Sequence, residues 1–490
     1  MATFNKLRRA KEQYIRRQRR AKARNRRLNV EGLEDRRVLA TFVWDGGGLD
    51  SNWTTADNWG SNVAPSVNDD LIFPAGAAQS TNVNDFAAGT QFGSILIDGS
   101  NYNLSGNQIV LDGAITNNGL SNELALGLQV GSASGGIANA VGSTFTVSGA
   151  IDTNGQMLPL NSSSGTLLVS GAIAGSGSVT TGGNSMVALS GDNTYTGTTT
   201  IGGGTLSVRH DNALGAADGT AATGTVVTAS GSYLQLENNV TVGNELLTSP
   251  SGTYFYVRNY GNNTWEGDVE TGSYLRLFVH SGSLELDGNL DTNNNSLQLY
   301  YGTAAFNGTF GNVGQLYTYS SATAELNANL TTNYNSTINS GSTLTGTGSL
   351  VSSFTSSPAQ IYGTINPGSG STTGILTLDD VGFESASNPR LAVQLNGTTA
   401  GSGHDQLKVN GTVEIAGELD VTLGYSPAVG DSFTILDNDG TDPIVGTFNG
   451  LSEGGILAVG TDYFSITYEG GDDGNDIVLT KVLAAEWDGG

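Results

Sequence analysis

Residues 144–155 read TFTVSGAIDTNG, and 22 positions further on the chain reads TLLVSGAIAGSG, residues 166–177. ALSG at 188–191 places Leu189 another 20 residues beyond Val169. LDGAI at 111–115 shares the plan of LDGNL at 286–290, and GSYLQL at 231–236 returns as GSYLRL at 272–277, 41 residues on and about twice the short spacing. Each unit alternates apolar and small residues over four or five positions and then breaks at Gly, Asn or Ser. Alternation turns one face inward and the other to solvent. A unit this short cannot enclose a core alone, so it must lie on its neighbours. The 71 glycines and the missing 3.6-residue period exclude a helical repeat. The fold this predicts is all-β, a right-handed parallel β-helix with coils about 4.8 Å apart. Roughly 330 residues at about 20–22 per coil make about 15 coils and a rod of about 70 Å.

Charge divides the chain. Residues 1–40 carry 14 Lys or Arg and 4 Asp or Glu, or +10; the remainder has 20 − 14 = 6 basic and 45 − 4 = 41 acidic residues, or −35. An acidic body of this kind stays in solution by self-repulsion, repels nucleic acid, and attracts calcium or basic surfaces. With no cysteine there is neither a disulfide framework nor a thiolate metal site. No apolar run approaches the roughly 20 residues needed to span a bilayer as a helix. The body is read as lying in solution or on a surface, not spanning a membrane.

The stretch LSGDNTYTGTTTIGGGTLSV, 189–208, holds Asp192 as its one charged residue. It resembles the autotransporter-associated β-strand repeat, carried by Leu189-Ser190-Gly191, then Asn193 to Gly197, then Thr199-Thr200-Ile201, then Gly203 to Leu206. STLTGTGSL (342–350) and GTINPGSGSTTGILTL (363–378) resemble late coils of such passengers. The resemblance implies a passenger-type parallel β-helix. In it, threonines and asparagines form ladders between coils, glycines make turns, and Leu189, Ile201 and Leu206 point inward.

Both ends carry their own signals. The basic opening segment admits three readings: a nucleic-acid arm, a membrane-surface helix and a targeting segment. Leu33, Glu34, Arg36 and Leu39 resemble the LEPR-xLL leader of large exported planctomycete-type surface proteins, with Asp35 in place of Pro and Val38 in place of the first Leu of the closing pair. That resemblance implies export, with cleavage after Ala40. At 42–73, Trp44, Trp53 and Trp59 are expected to cap the first coil, the other reading being an aromatic sugar platform. After 380 the strands lengthen and the turns turn acidic, as in the C-terminal segments that end such passengers. EWDGG (486–490) echoes VWDGGG (43–48), as if a second unit began in a natural chain running past residue 490. The expected organisation is a leader at 1–40, repeat coils at 41–380, terminal coils with a β-rich cap at 381–483, and the start of a second unit at 484–490.

Parallel β-helices also carry polysaccharide lyases and hydrolases. A lyase needs a base beside a neutralised carboxylate, and a hydrolase needs two carboxylates facing one bond. The acidic pairs at 69–70, 379–380 and 472–473 place neighbours on opposite strand faces, and Arg276 with His280 is the best isolated catalytic pair. Calcium has better candidates. GDDGNDIVL (471–479) resembles a single RTX nonapeptide and offers Asp472, Asp473 and Asp476, while DNDGTD (437–442) offers Asp437 and Asp439. The reading that results is a secreted or cell-surface repeat protein with a structural, adhesive or matrix role, its partners extracellular glycans or surface and matrix proteins. The alternative is a polysaccharide-degrading β-helix enzyme.

Overall fold

The computed structural model describes residues 2–24, 40–131, 135–353 and 358–483. The LEPR-xLL-like residues, 33–39, and the echo at 486–490 lie outside the described residues. Two units separate, 1–40 and 41–490. In the first, Ala2–Arg24 is one helix, with Leu7, Tyr14 and Ile15 exposed.

The second unit is a parallel β-solenoid. A representative coil runs through Thr144–Val147, Ile151–Asp152 and Leu158–Ser162, and each strand pairs in parallel with its counterpart one coil later, at Thr166–Val169, Ile173–Ala174 and Val179–Gly183. Alternation decides the packing. Phe145, Leu167, Val187 and Leu206 stand in register and are all buried, while Thr146 and Leu168 between them face outward. Each fully buried aliphatic side chain contributes about 1.5–3 kcal/mol, so a coil gains its stability from the coil beside it. One face continues as a twelve-stranded parallel sheet from Thr41–Val43 to Leu290–Asp291.

The repeat copy at 189–208 behaves as its residues demand. Leu189, Ile201 and Leu206 are fully buried. Asn193 ties three coils: its Oδ1 accepts from the Ile173 amide at 2.8 Å, and its Nδ2 donates to the Ala213 carbonyl at 2.6 Å. Gly171 and Gly191 lie in one column of turns without positive φ. A Cβ on Gly171 would strike the Gly149 carbonyl, and one on Gly191 the Gly171 carbonyl. Close approach of stacked backbones, rather than left-handed geometry, makes glycine necessary there.

Trp44, Trp53 and Trp59 are fully buried at the start of the stack, and each indole N–H is satisfied, by Gln79 O, Asn82 Oδ1 and Trp53 O respectively. They have no exposed face to offer a sugar, so the platform reading fails and the capping role stands. At the other end Ser432–Asn438 still pairs in parallel with Gln406–Val409, but its other edge takes Asp476–Val482 antiparallel, followed by Asp462–Gly470 and Ile456–Val459. The change of direction closes the parallel stack with a hairpin sheet.

Candidate functional site

Between Ser232–Glu237 and Gln315–Thr318 the outward side chains of the solenoid change character. In Phe255–Tyr260, Phe255, Val257 and Asn259 turn inward, leaving Tyr256, Arg258 and Tyr260 outside. In Leu275–Leu286, Leu275, Leu277 and Val279 are buried and Arg276, Phe278 and His280 face out. Parallel register then builds columns. Tyr233 lies beside Tyr256, Tyr256 beside Arg276, Arg276 beside Gln298 and Gln298 beside Tyr317. A second column runs Gln235, Arg258, Phe278, Tyr301.

Interstrand spacing of about 4.8 Å suits stacked rings. Tyr233 and Tyr256 stack at 4.8 Å, Phe278 and Tyr300 at 4.5 Å, Tyr300 and Tyr319 at 4.1 Å, and Tyr260 and His280 at 4.5 Å. Tyr254 meets Tyr256 edge-on at 6.0 Å. The result is an aromatic stripe across five successive coils, about 19 Å along the stack.

Two guanidinium groups are set into it. Arg258 Cζ lies 3.5 Å from the Tyr233 ring centroid, and Arg276 Cζ lies 5.5 Å from Tyr256 and 5.8 Å from both Tyr254 and Tyr274. Arg276 Nε donates to Gln298 Oε1 at 3.0 Å and Nη1 to the Tyr256 hydroxyl at 3.3 Å. The other four basic residues of the solenoid have carboxylate partners: Arg209 with Glu237, Arg390 with Glu418 and Asp420, Lys408 with Asp437, Lys481 with Asp462. Among the described residues Arg258 and Arg276 have none. Burial, then the charge of Arg258, holds His280 below its ordinary value, so its ring is neutral at neutral pH. Burial, with Tyr300 beside it, pushes Tyr319 up to about 12, leaving its hydroxyl protonated.

Arg276 and His280, paired in sequence reasoning as a catalytic candidate, share this face but take different partners; His280 stacks on Tyr260 and meets the Tyr301 hydroxyl at 3.1 Å. The stripe itself escaped sequence reasoning. Its signal is the outward half of the alternation in YFYVRNY and YLRLFVH, where aromatics and arginine replace the Ser and Thr of other coils.

The acidic pairs at 69–70 and 379–380 serve the backbone. Asp70 accepts from the Ser94 amide at 2.6 Å, Asp380 from the Thr412 amide at 2.7 Å, and Asp379 from the Ser352 amide at 3.2 Å. The two acidic turns nominated for calcium do come together in space. The Asn438 amide donates to Asp476 Oδ1 at 3.0 Å, and Asn475 Nδ2 lies 3.3 Å from the Asp439 carbonyl and 3.2 Å from that of Asp442. Asp437 is engaged by Lys408 Nζ at 3.1 Å, while Asp439, Asp472 and Asp473 are exposed. Burial first, then the charges of Asp437 and Asp473, holds Asp476 above the usual carboxylate range. Among the described residues no three acidic or histidine side chains are arranged to hold a metal ion. What the junction does present is three buried oxygens without a hydrogen-bond partner: Asn438 Oδ1, Asp442 Oδ2 and Asn475 Oδ1.

No protein-family model matches the chain. Over 242 residues it is 28% identical to the "Adhesin BmaC autotransporter" of Brucella suis biovar 1 (strain 1330), a match covering 45% of this chain and 6% of that protein. The chain therefore spans only a small fraction of that relative's length. Among solved structures, the Hap adhesin of Haemophilus influenzae aligns over 87% of this chain and 65% of its own, at 12% identity and a TM-score of 0.24.

Proposed function

We propose that this chain is a secreted or cell-surface β-solenoid with an adhesive role, and that the aromatic stripe is its contact surface. The observation that carries this is the stripe: Tyr254, Tyr260 and Tyr274 remain 39%, 38% and 43% exposed on a sheet paired on both sides. Large aromatic side chains held rigidly in water are the anchors binding surfaces use, because little entropy is lost when they are covered. Similarity to an autotransporter adhesin supports the same reading. We read residues 1–40 as an export leader rather than a nucleic-acid arm. The polysaccharide-degrading alternative gains no support from Asp69, Asp70, Asp379 and Asp380, which hold backbone amides, so we assign no catalytic role.

The test is adhesion by beads coated with the full chain. Replacing Tyr254, Tyr260 and Tyr274 together by Ala should remove most attachment to host or matrix surfaces without lowering the melting temperature by more than a few degrees. Unchanged attachment would move the contact surface elsewhere. Fractionation of native cells, with mass spectrometry of the N-terminus, tests export: protein outside the cytoplasm starting near Thr41 supports it, and cytoplasmic protein starting at Met1 or Ala2 refutes it.

A structural calcium ion at the junction of the two acidic turns is a second proposal. Calcium takes six to eight oxygens, and amide oxygens serve it as well as carboxylates do. The open Asn438, Asp442 and Asn475 oxygens supply such donors beside Asp476.

A further inference from the structure

We propose that the stripe from Tyr233 to Tyr319 binds an anionic polysaccharide, with Arg258 and Arg276 pairing its carboxylate or sulfate groups and the tyrosine edges hydrogen-bonding its hydroxyls. This rests on the stripe being a contact surface, and names what it contacts.

Charge sets the two arginines of the stripe apart. The solenoid sets 6 basic residues against 41 acidic ones, so an unpaired cation there is exceptional. Four of the six are neutralised by neighbouring carboxylates. Glu237, which stands beside Tyr260 in register, is engaged by Arg209 Nε at 3.0 Å. Arg258 and Arg276 stand in adjoining columns of neighbouring strands on the same face and are held by tyrosine rings instead. Stacking on Tyr233 orients the Arg258 guanidinium while leaving its N–H fork free to match a carboxylate or sulfate in two parallel hydrogen bonds, and Arg276, with Nε on Gln298 and Nη1 on Tyr256, offers Nη2 beside it.

Charge density then selects among anions. A nucleic acid carries one negative charge per about 1.7 Å of duplex and would be repelled along most of this surface. A polysaccharide with an isolated acid group every sugar or two meets two arginines within about 5–10 Å and presents neutral hydroxyls elsewhere. Backbone geometry argues against an acidic peptide. Phe255–Tyr260 and Leu275–Leu286 are paired on both edges, so no strand can be added here. The rings stack on one another, presenting edges and hydroxyls, with no pocket between them for an apolar anchor. An edge of donors and acceptors with two fixed cations suits a hydroxyl-rich chain with sparse charge.

The test uses the full chain on immobilised polygalacturonate and dextran sulfate. Dextran and fully methyl-esterified polygalacturonan serve as uncharged counterparts, and poly-L-glutamate as an acidic peptide. Binding to either anionic polysaccharide and not to the uncharged ones is expected, weakening with salt. Preference for polygalacturonate or for dextran sulfate identifies the carboxylate or the sulfate ester as the recognised group. The Arg258→Gln/Arg276→Gln variant should bind about tenfold more weakly or worse, the loss of one to two charged hydrogen-bonded contacts. Arg390→Gln, which removes an already paired cation, should bind as the parent does. Hydroxyl-radical footprinting of the unmodified chain needs no variant to fold: bound polysaccharide should protect Tyr254, Tyr260 and Tyr274 but not Met157, which is 42% exposed beside Leu158–Ser162 in the twelve-stranded sheet. Equal binding of uncharged polymers, equal or tighter binding of poly-L-glutamate, equal losses in both arginine variants, or protection of Met157 alone would overturn the inference. Stripe-dependent adhesion without any anionic-polysaccharide binding overturns this inference and leaves the contact surface standing; adhesion indifferent to the stripe tyrosines overturns both.

Discussion

Glu245 is buried between coils with the Thr225 hydroxyl donating to its Oε1 at 2.7 Å, and its other oxygen has no hydrogen-bond partner. Burial pushes its pKa up to about 8 from an ordinary 4.5. Between those values the folded chain holds a proton that the unfolded chain releases, so stability falls as pH rises from about 4.5 to about 8. Glu245→Gln should match the parent near pH 4.5 and exceed it increasingly up to pH 8, by on the order of a few kcal/mol. Melting curves across that range decide it, and a difference that stays flat with pH would refute the assignment. Nothing in the sequence marked Glu245, because its desolvation comes from the coils stacked on either side. Asn193 and the Gly171–Gly191 column were legible as ladder and turn residues. What they do physically, spanning three coils and admitting a neighbouring carbonyl, needed the stack itself.

At the scale of the element, alternation told which residues of a strand face inward, and Leu189, Ile201 and Leu206 follow it. It did not tell which outward residues become neighbours. Tyr233 to Tyr256 is 23 positions, Tyr256 to Arg276 is 20, Arg276 to Gln298 is 22 and Gln298 to Tyr317 is 19. Each turn absorbs a different number of residues, so the columns of the stripe appear only after every turn has closed. The acidic turns show the same limit, since 437–442 and 471–476 meet through an antiparallel pairing that no 20-residue period foretells. If calcium binds there, it should slow amide exchange in Ser432–Asn438 and Asp476–Val482 while leaving Thr144–Val147 unchanged. Asn475→Ala should abolish that protection, and uniform or absent slowing would remove calcium from the junction.

For the whole molecule, stability is a sum over coils and the contacts between adjacent coils. Thr166 and Met186 occupy equivalent places one coil apart. Deleting residues 166–185 therefore joins Gly165 to Met186 with Thr144–Val147 in register beneath Met186–Leu189, and shortens the stack by one coil, about 4.8 Å. That variant should keep its circular dichroism spectrum and lose only a few degrees of melting temperature. Deleting 166–175 removes half a coil, shifts the inward faces and should abolish cooperative melting. Equal outcomes for the two deletions would mean that the 20-residue unit is not the unit of packing.

The inter-coil hydrogen bonds also set an order of assembly. Most join residues about twenty positions apart, as Ile173 to Asn193 and Asn193 to Ala213 do. A chain whose partners are always one turn away closes only short loops and need not search its full length for them. The buried tryptophans fill the N-terminal end of this stack, so that end is synthesised before the coils that pack on it. Each further twenty residues can then settle on the coil before them, as courses are laid on a wall, with the antiparallel hairpin as the coping of this stack.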